Sequence, residues 1–262
     1  VTPVTTTPHA LDIDAAADEL HRARLERRAV ATLTSRFERM TRDDAYAVQA
    51  AGIERRLADG ETVVGGKLGF TSAAMRAAMG VDSPNHGWLT DAMLLDDGVA
   101  PADGFIHPKV EPEIAFWLSE DLEGPVSVQE VLAATSAVSA CLEVVDSRYE
   151  GFRFAPLDNI ADNSSAGGVV LGEPVPLGEV DLRTLGVVVA VDGQVVATAA
   201  GAAAHDHPAA AVAWMANNCG APLRAGHVVI SGGLTAPQDL TPGRNVSADF
   251  AHLGSVDVRM PG

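Results

Sequence analysis

The chain has 262 residues, 47% of them hydrophobic and 20% charged, with a formal net charge of −17. That composition suits a globular chain of one large domain, or one domain with an added N-terminal layer. Acidic and basic residues nearly balance over 1–60 (10 and 9), but 61–262 carries 25 acidic against 9 basic, a field that argues against nucleic acid and anionic membranes as partners.

Taken in order, VTPVTTTPHA lacks a basic n-region and an apolar h-region and reads as a frayed tail rather than a signal peptide. Asp12 and Asp14 supply a cap and acidic first turn for a helix predicted over 12–36 with a thin apolar stripe. Thr41-Arg-Asp-Asp44 begins a second helix, 43–58, closed by Asp59-Gly60. Val63–Leu68 is a predicted strand, and Thr71/Ser72 caps a helix that Gly80 stops after Met79. Residues 81–104 read as loop. A strand follows over 110–118, then the capping box Ser127-Val-Gln-Glu130 and a second apolar strand over 137–146. Residues 148–163 look irregular. Val169–Leu171 is a strand, and Asp192-Gly193 joins two more as a hairpin. Residues 208–219 read as a helix, and Val228–Ser231, Asn245–Phe250 and Gly254–Arg259 as strands. The pattern is N-terminal helices on a mixed or antiparallel β body, with a boundary near residue 60. No apolar run approaches the ~18 residues that span a bilayer. Cys141 and Cys219 sit in apolar contexts without CxxC spacing, which predicts reduced thiols and a cytoplasmic location.

Residues 107–116, HPKVEPEIAF, hold the most chemistry. On a strand, Glu111 and Glu113 share one face at i and i+2. Next to a core-like run their repulsion is most directly offset by a hard divalent cation; the alternative is a solvated strand face. Glu143 lies between Leu142 and Val144 in an apolar strand. An ionised Glu there costs several kcal/mol unless it is paired or metal-bound, with Arg148 as the competing partner. Three carboxylates without a His/Cys cluster favour Mg²⁺ or Mn²⁺ over Zn²⁺. Only two of the eighteen Lys and Arg residues are lysines, Lys67 and Lys109. Lys67, among Gly65, Gly66, Leu68, Gly69 and Phe70, reads either as a desolvated acid/base group or as a surface lysine. The glycines here are not a P-loop, because GxxxxGK[ST] is missing. Asp162-Asn163-Ser164-Ser165 and Ser231-Gly232-Gly233-Leu234-Thr235 are either hydrogen-bonding anion sites or plain turns. His205-Asp206-His207 has the form of an HxH metal pair but lacks a spaced third ligand. Neither a GxSxG elbow nor a strand-borne GxGxxG is present.

Several segments in order resemble the 2-oxo-acid branch of the fumarylacetoacetate hydrolase superfamily, specifically its 4-oxalocrotonate decarboxylases and 2-hydroxypenta-2,4-dienoate hydratases. They are GGKLGFTS (65–72), MGVDSPNHGWLTDAM (79–93), IHPKVEPEIAF (106–116), LEVVDSRYEGFRF (142–154), IADNSSAGGVVLG (160–172), VDLRTLGVV (180–188), HP (207–208), SGGLTA (231–236) and LGSVDVRM (253–260). DSRYEGFRF and VDLRTLGVV tilt the resemblance toward the decarboxylases. It implies an α+β fold, an N-terminal helical region (1–60) on a barrel-like roll of mixed sheets (61–262). It implies Glu111, Glu113 and Glu143 as ligands of Mg²⁺ or Mn²⁺, and Lys67 and Asp91 as catalytic residues. Leu68, Phe70, Asn163, Ser164 and Thr235 would line the pocket of a small anionic 2-oxo acid, with Trp88 a further apolar wall. The implied reaction is decarboxylation of a 2-oxo-3-enedioate. The alternatives are hydration of a 2-hydroxydienoate, with Asp91 or Glu113 as base, and a non-catalytic partner subunit of such a hydratase. The resemblance also implies a homo-oligomer or a paired hydratase–decarboxylase complex. Departures from the pattern are Phe70, Pro112, the HDHP stretch and Pro237-Gln238. Pro112 should make its strand irregular or an edge, and the last two suggest a different distal group on the substrate.

Overall fold

The computed structural model describes residues 10–178 and 180–262; the tail expected over the first residues lies almost wholly outside them. The chain opens with α1 (Ile13–Glu26), whose N-cap Asp12 accepts a hydrogen bond from the Ala15 amide. It ends ten residues earlier than the periodicity predicts, because Arg27 turns left-handed (φ 51°). The next residues instead go inward: the Val30 amide donates to the Arg148 carbonyl at 2.9 Å, and Leu33 is wholly buried. A tertiary contact overrides local propensity here. The expected capping box at Thr41 and Asp44 starts α2 (Arg42–Ala58).

The β body follows as β1 (Val63–Gly69), α3 (Ala73–Met79), β2 (Asn85–Thr90), β3 (Lys109–Leu118), α4 (Val128–Ala133) and β4 (Thr135–Val145). Next come α5 (Pro156–Ala161), β5 (Ala166–Leu171), β6 (Val175–Pro176), β7 (Gly186–Val191) and β8 (Gln194–Ala200). The chain closes with α6 (Pro208–Asn218), β9 (Val228–Ile230), β10 (Gln238–Asp239), β11 (Asn245–Phe250) and β12 (Gly254–Arg259). β2 and α5 lie where the sequence reads as loop. β2 pairs antiparallel with β1 from Val63 to Gly69. α5 starts with Pro156 in its first turn, and the Asp158 carboxylate accepts from the Ala155 amide, the pre-organised N-terminus that proline favours.

The larger sheet runs β2-β1-β9-β3-β4-β5, with β10 added to β3 and β6 to β4; the smaller runs β12-β11-β7-β8. β1 and β9 are parallel and the other named pairs antiparallel. The architecture is α+β, N-terminal helices on a mixed half-barrel of sheet. Because side chains alternate along a strand, Val110, Ile114, Phe116, Leu142 and Val144 face one way. They join Val187, Val189 and Val246 of the smaller sheet and Val212 and Met215 of α6 in the main core. The opposite face carries a smaller cluster with Ala115, Cys141, Val169 and Ile230, together with every residue of the candidate metal cluster. A third core joins α1 and α2 to α5 and Tyr149. Cys141 is buried, Cys219 half-buried, and both are free thiols.

Pro112 does not disturb its strand. β3 pairs with β4 in unbroken register from Lys109↔Val145 to Trp117↔Ala137. The Pro112 carbonyl accepts from the Leu234 amide at 2.9 Å, so the proline nitrogen also points to the 231–237 loop, away from β4. Its missing N–H therefore costs no bond of the β3–β4 ladder.

Candidate metal centre and active site

The β3–β4 register builds the cluster. Glu111 lies opposite Glu143, and Glu113, two residues on, lies opposite Cys141. One carboxylate oxygen from each of the three glutamates falls within 4.8 Å of the others. Glu113 and Glu143 are fully buried and Glu111 is half-buried. Glu113 Oε2 accepts from the Gly232 amide at 2.7 Å, while its Oε1 has no partner. Lys67 Nζ lies 2.9 Å from Glu143 Oε1, and Glu143 Oε2 is unpartnered. The competing partner read from the sequence, Arg148, is taken by Asp162 instead.

Lys67 is 2% exposed and also donates to the Ser164 carbonyl at 2.7 Å. The surface-lysine alternative is thereby removed. One ammonium among three carboxylates leaves an excess of negative charge in a buried place. Burial first, then the Glu143 charge, pushes Glu111 up to about 7. The same two causes raise Glu113 well above the ordinary carboxylate range. Burial raises Glu143 too, against the pull of Lys67. Two buried carboxylate oxygens without donors, in an all-oxygen set, fit a hard divalent cation such as Mg²⁺ or Mn²⁺. The backbone makes room for the cluster: a Cβ on Gly233 would sit 2.8 Å from the Glu111 carboxyl carbon.

The turn that holds Lys67 is unusual. Asn163, Ser164 and Ser165 are consecutively left-handed, at φ 51°, 52° and 58°, a conformation that costs energy outside glycine. Side chains keep it in place. Asn163 Oδ1 accepts from the Trp88 amide and its Nδ2 donates to the Trp88 carbonyl, both at 2.8 Å. Ser164 Oγ donates to Asn85 Oδ1 at 2.9 Å, and Asn85 in turn donates to Asn159.

A cavity of about 690 Å³ opens over the cluster, and Lys67, Leu68, Phe70, Glu111, Ser164 and Thr235 border it. Glu113 and Glu143 are not among its lining residues. Three expectations need correction. Asp91 does not line the cavity: it is exposed at the end of β2, where its carboxylate accepts from the Thr62 and Ala92 amides at 2.9 Å. It serves there as a turn residue. Asn163 does not line the cavity either, because both ends of its amide are spent on Trp88; its part is to shape the turn. Trp88 packs against the main core, not the cavity. The HxH pair is split as well. His205 borders the cavity, whereas His207 Nδ1 accepts from the Ala209 amide and caps α6. Arg76, also on the cavity wall, is missed by sequence reasoning. Its hydrogen bonds to the Phe70 and Thr71 carbonyls leave no spacing signal beyond its place on a short capped helix.

Comparison with known proteins agrees with this picture. The family described as fumarylacetoacetate (FAA) hydrolase C-terminal matches residues 88–260. A 2-hydroxypent-2,4-dienoate hydratase of Pseudomonas putida is 45% identical over 212 residues, 79% of this chain and 96% of the relative. A 4-oxalocrotonate decarboxylase of Pseudomonas sp. (strain CF600) is 40% identical over 251 residues, 94% of this chain and 95% of the relative. The solved 4-oxalocrotonate decarboxylase from Pseudomonas putida G7, complexed with magnesium and adipate, superposes with a TM-score of 0.92 at 39% identity. That superposition covers 96% of this chain and 99% of the other. Domain match, near-full-length relatives and shared architecture converge: the chain belongs to the fumarylacetoacetate hydrolase family.

Proposed function

We propose that this protein is a divalent-metal-dependent lyase that decarboxylates a 2-oxo-3-enedioate of the 4-oxalocrotonate type to a 2-hydroxydienoate. The observation that carries the reading is the arrangement of Glu111, Glu113, Glu143 and Lys67 on the sheet face opposite the main core, beside a cavity whose other walls are largely apolar. The three glutamates would hold Mg²⁺ or Mn²⁺, which when bound supplies Lewis-acid polarisation of the substrate's 2-oxo oxygen.

The protein's own groups account for the rest. When the distal C–C bond breaks, its electron pair moves through the conjugated chain to the C2 oxygen and carbon dioxide leaves. Lys67, held by the Glu143 carboxylate and the Ser164 carbonyl, is oriented as an ammonium that stabilises that charge or delivers the proton that quenches it. Phe70, Met75, Phe152 and Leu234 on the walls exclude water from the reacting chain.

Hydration is the second reading, supported by the 45% identical hydratase. It requires a base for the attacking water. Of the two candidates, Asp91 is outside the cavity, and Glu113 is buried in the metal cluster with one oxygen on the Gly232 amide. This favours decarboxylation, which needs no such base. The test is an assay with and without Mg²⁺. It follows carbon dioxide release from 2-oxohex-3-enedioate and water addition to 2-hydroxypenta-2,4-dienoate. The expected result is metal-dependent carbon dioxide release, abolished in Glu111→Gln and Lys67→Ala. Hydration alone would overturn the decarboxylase in favour of the hydratase. Turnover of neither substrate by the wild type with Mg²⁺ would point instead to a non-catalytic partner subunit, and turnover unchanged in both variants would take Glu111 and Lys67 out of the mechanism.

A further inference from the structure

Glu111 of the candidate metal cluster and Lys67 form part of the cavity wall. At another part of its wall lie Arg76, from α3, and His205, from the segment before α6. They are 129 residues apart in sequence, yet Arg76 Nη1 lies 3.5 Å from His205 Nδ1. The contact is built on both sides. Arg76 Nη1 donates to the Phe70 and Thr71 carbonyls at 3.1 and 2.6 Å, and the His205 amide donates to the same Thr71 carbonyl at 3.1 Å. His205 and Asp206 are both left-handed, at φ 52° and 64°. Strain at two successive non-glycine residues persists where the surroundings enforce it, and such places cluster at ligand sites.

The guanidinium is only partly used. Among the described residues, no hydrogen bond engages Arg76 Nη2 or Nε, and its contacts within 3.5 Å are neutral: two carbonyls and an imidazole. Burial first, then the Arg76 charge, holds His205 below its ordinary range, so the fixed positive charge here is that of Arg76. Asp206 borders the cavity but is exposed. In a chain of net charge −17, an unpaired cation facing an apolar cavity suits an anionic group, and an arginine fork suits a carboxylate.

We propose that Arg76, positioned against His205, is the specificity residue that binds the second, distal carboxylate of the substrate and so selects dicarboxylates over monocarboxylates. This inference rests on the decarboxylase reading for its substrate class. It carries a mechanistic signature. The distal carboxylate loses its charge as carbon dioxide forms, so its bond to Arg76 is strongest in the ground state. Such an interaction sets KM and does not accelerate the chemical step. Removing it raises KM without lowering kcat.

Two measurements separate this inference from the activity it rests on. The first is calorimetric binding of adipate and of hexanoate, in the presence of Mg²⁺, to the full-length protein and to Arg76→Gln and Arg76→Lys. The wild type is expected to prefer adipate. In Arg76→Gln that preference falls roughly tenfold, the scale of a charge-assisted hydrogen bond. Hexanoate binding stays constant, which shows an intact cavity, and Arg76→Lys recovers part of the preference. The second is the kinetic split with 2-oxohex-3-enedioate, expected as a raised KM at undiminished kcat. Equal loss of both ligands in Arg76→Gln, or an unchanged preference, overturns the proposal even if decarboxylation stands. Failure of turnover with the binding preference intact overturns the decarboxylase reading and leaves Arg76 as a dicarboxylate-binding residue.

Discussion

At the scale of single residues, the candidate metal cluster is a set of oxygens for which protons and a cation would compete. Burial, and secondarily Glu143, raises Glu111 to about 7 from an ordinary 4.5. The metal-free folded chain therefore binds more protons than the unfolded chain between those values. The stabilisation from this group is full below about 4.5 and is lost as pH rises through about 7. A divalent cation binds the ionised form and reverses the trend. Thermal unfolding should accordingly show the Tm of metal-free protein falling between about pH 5 and pH 8, with added Mg²⁺ raising Tm more at the higher pH. A larger Mg²⁺ effect at the lower pH would contradict the shared site. The clustering of the three glutamates was legible in the sequence because two simple rules apply to them: i, i+2 spacing on a strand, and the cost of a charge in an apolar run; the burial of Lys67 was not, since its segment reads equally as that of a surface lysine. Asp91 and Asn163 sit in equally suggestive segments. Their side chains bond backbone groups distant in sequence, Asp91 to Thr62 and Asn163 to Trp88, and no local pattern distinguishes such a turn-forming amide or carboxylate from a substrate ligand.

At the scale of elements, the strands and capped helices followed from alternation, capping boxes and the Asp192-Gly193 turn. What escaped was decided by distant partners. β2 has the sequence NHGWLT, without clear alternation, and is held by β1 and by the Asn163 side chain. The same junction gives a sharp test of how the turn at 163–165 serves Lys67. A Cβ on Gly87 would lie 2.6 Å from the Asn163 carbonyl oxygen and 2.9 Å from its Oδ1. Gly87→Ala must push that turn away, and the Ser164 carbonyl that holds Lys67 moves with it. Misplacement of a catalytic group by about 1 Å costs on the order of 100-fold in rate. Gly87→Ala is expected to lower kcat at least tenfold with its circular dichroism spectrum unchanged. Gly52→Ala, in α2 with nothing within 4 Å of the new methyl, serves as the control and should retain full activity. Equal activity in the two variants would show that the turn does not position Lys67.

At the scale of the molecule, the sequence suggests a boundary near residue 60, yet the packing ties the two sides of it together. α1 and α2 bury Ala17, Leu20, Val48 and Ala51 against Tyr149, Ile160 and Ala161, which come from the far side of that boundary. Gln49 Nε2 donates to the carbonyls of both His86 and Ile160 at 2.9 Å, so one buried side chain of α2 links β2 to α5. α5 leads directly into the Asn163–Ser165 turn. The N-terminal helices thus brace the support of Lys67 although they contribute nothing to the cavity wall. Removing residues 1–60 would expose Tyr149, now wholly buried, and leave the His86 and Ile160 carbonyls without their donor. Each apolar side chain uncovered costs roughly 1.5–3 kcal/mol, a large share of the total stability of a domain. The fragment 61–262 is therefore expected to aggregate or to unfold at far lower urea concentration than the whole chain, and to lack turnover. Gln49→Leu in the whole chain should act in the same direction more mildly, with both unpaired carbonyls buried and about 1–3 kcal/mol lost. If the fragment unfolds cooperatively at the urea midpoint of the full chain, the helices are an appendage and not part of the catalytic fold.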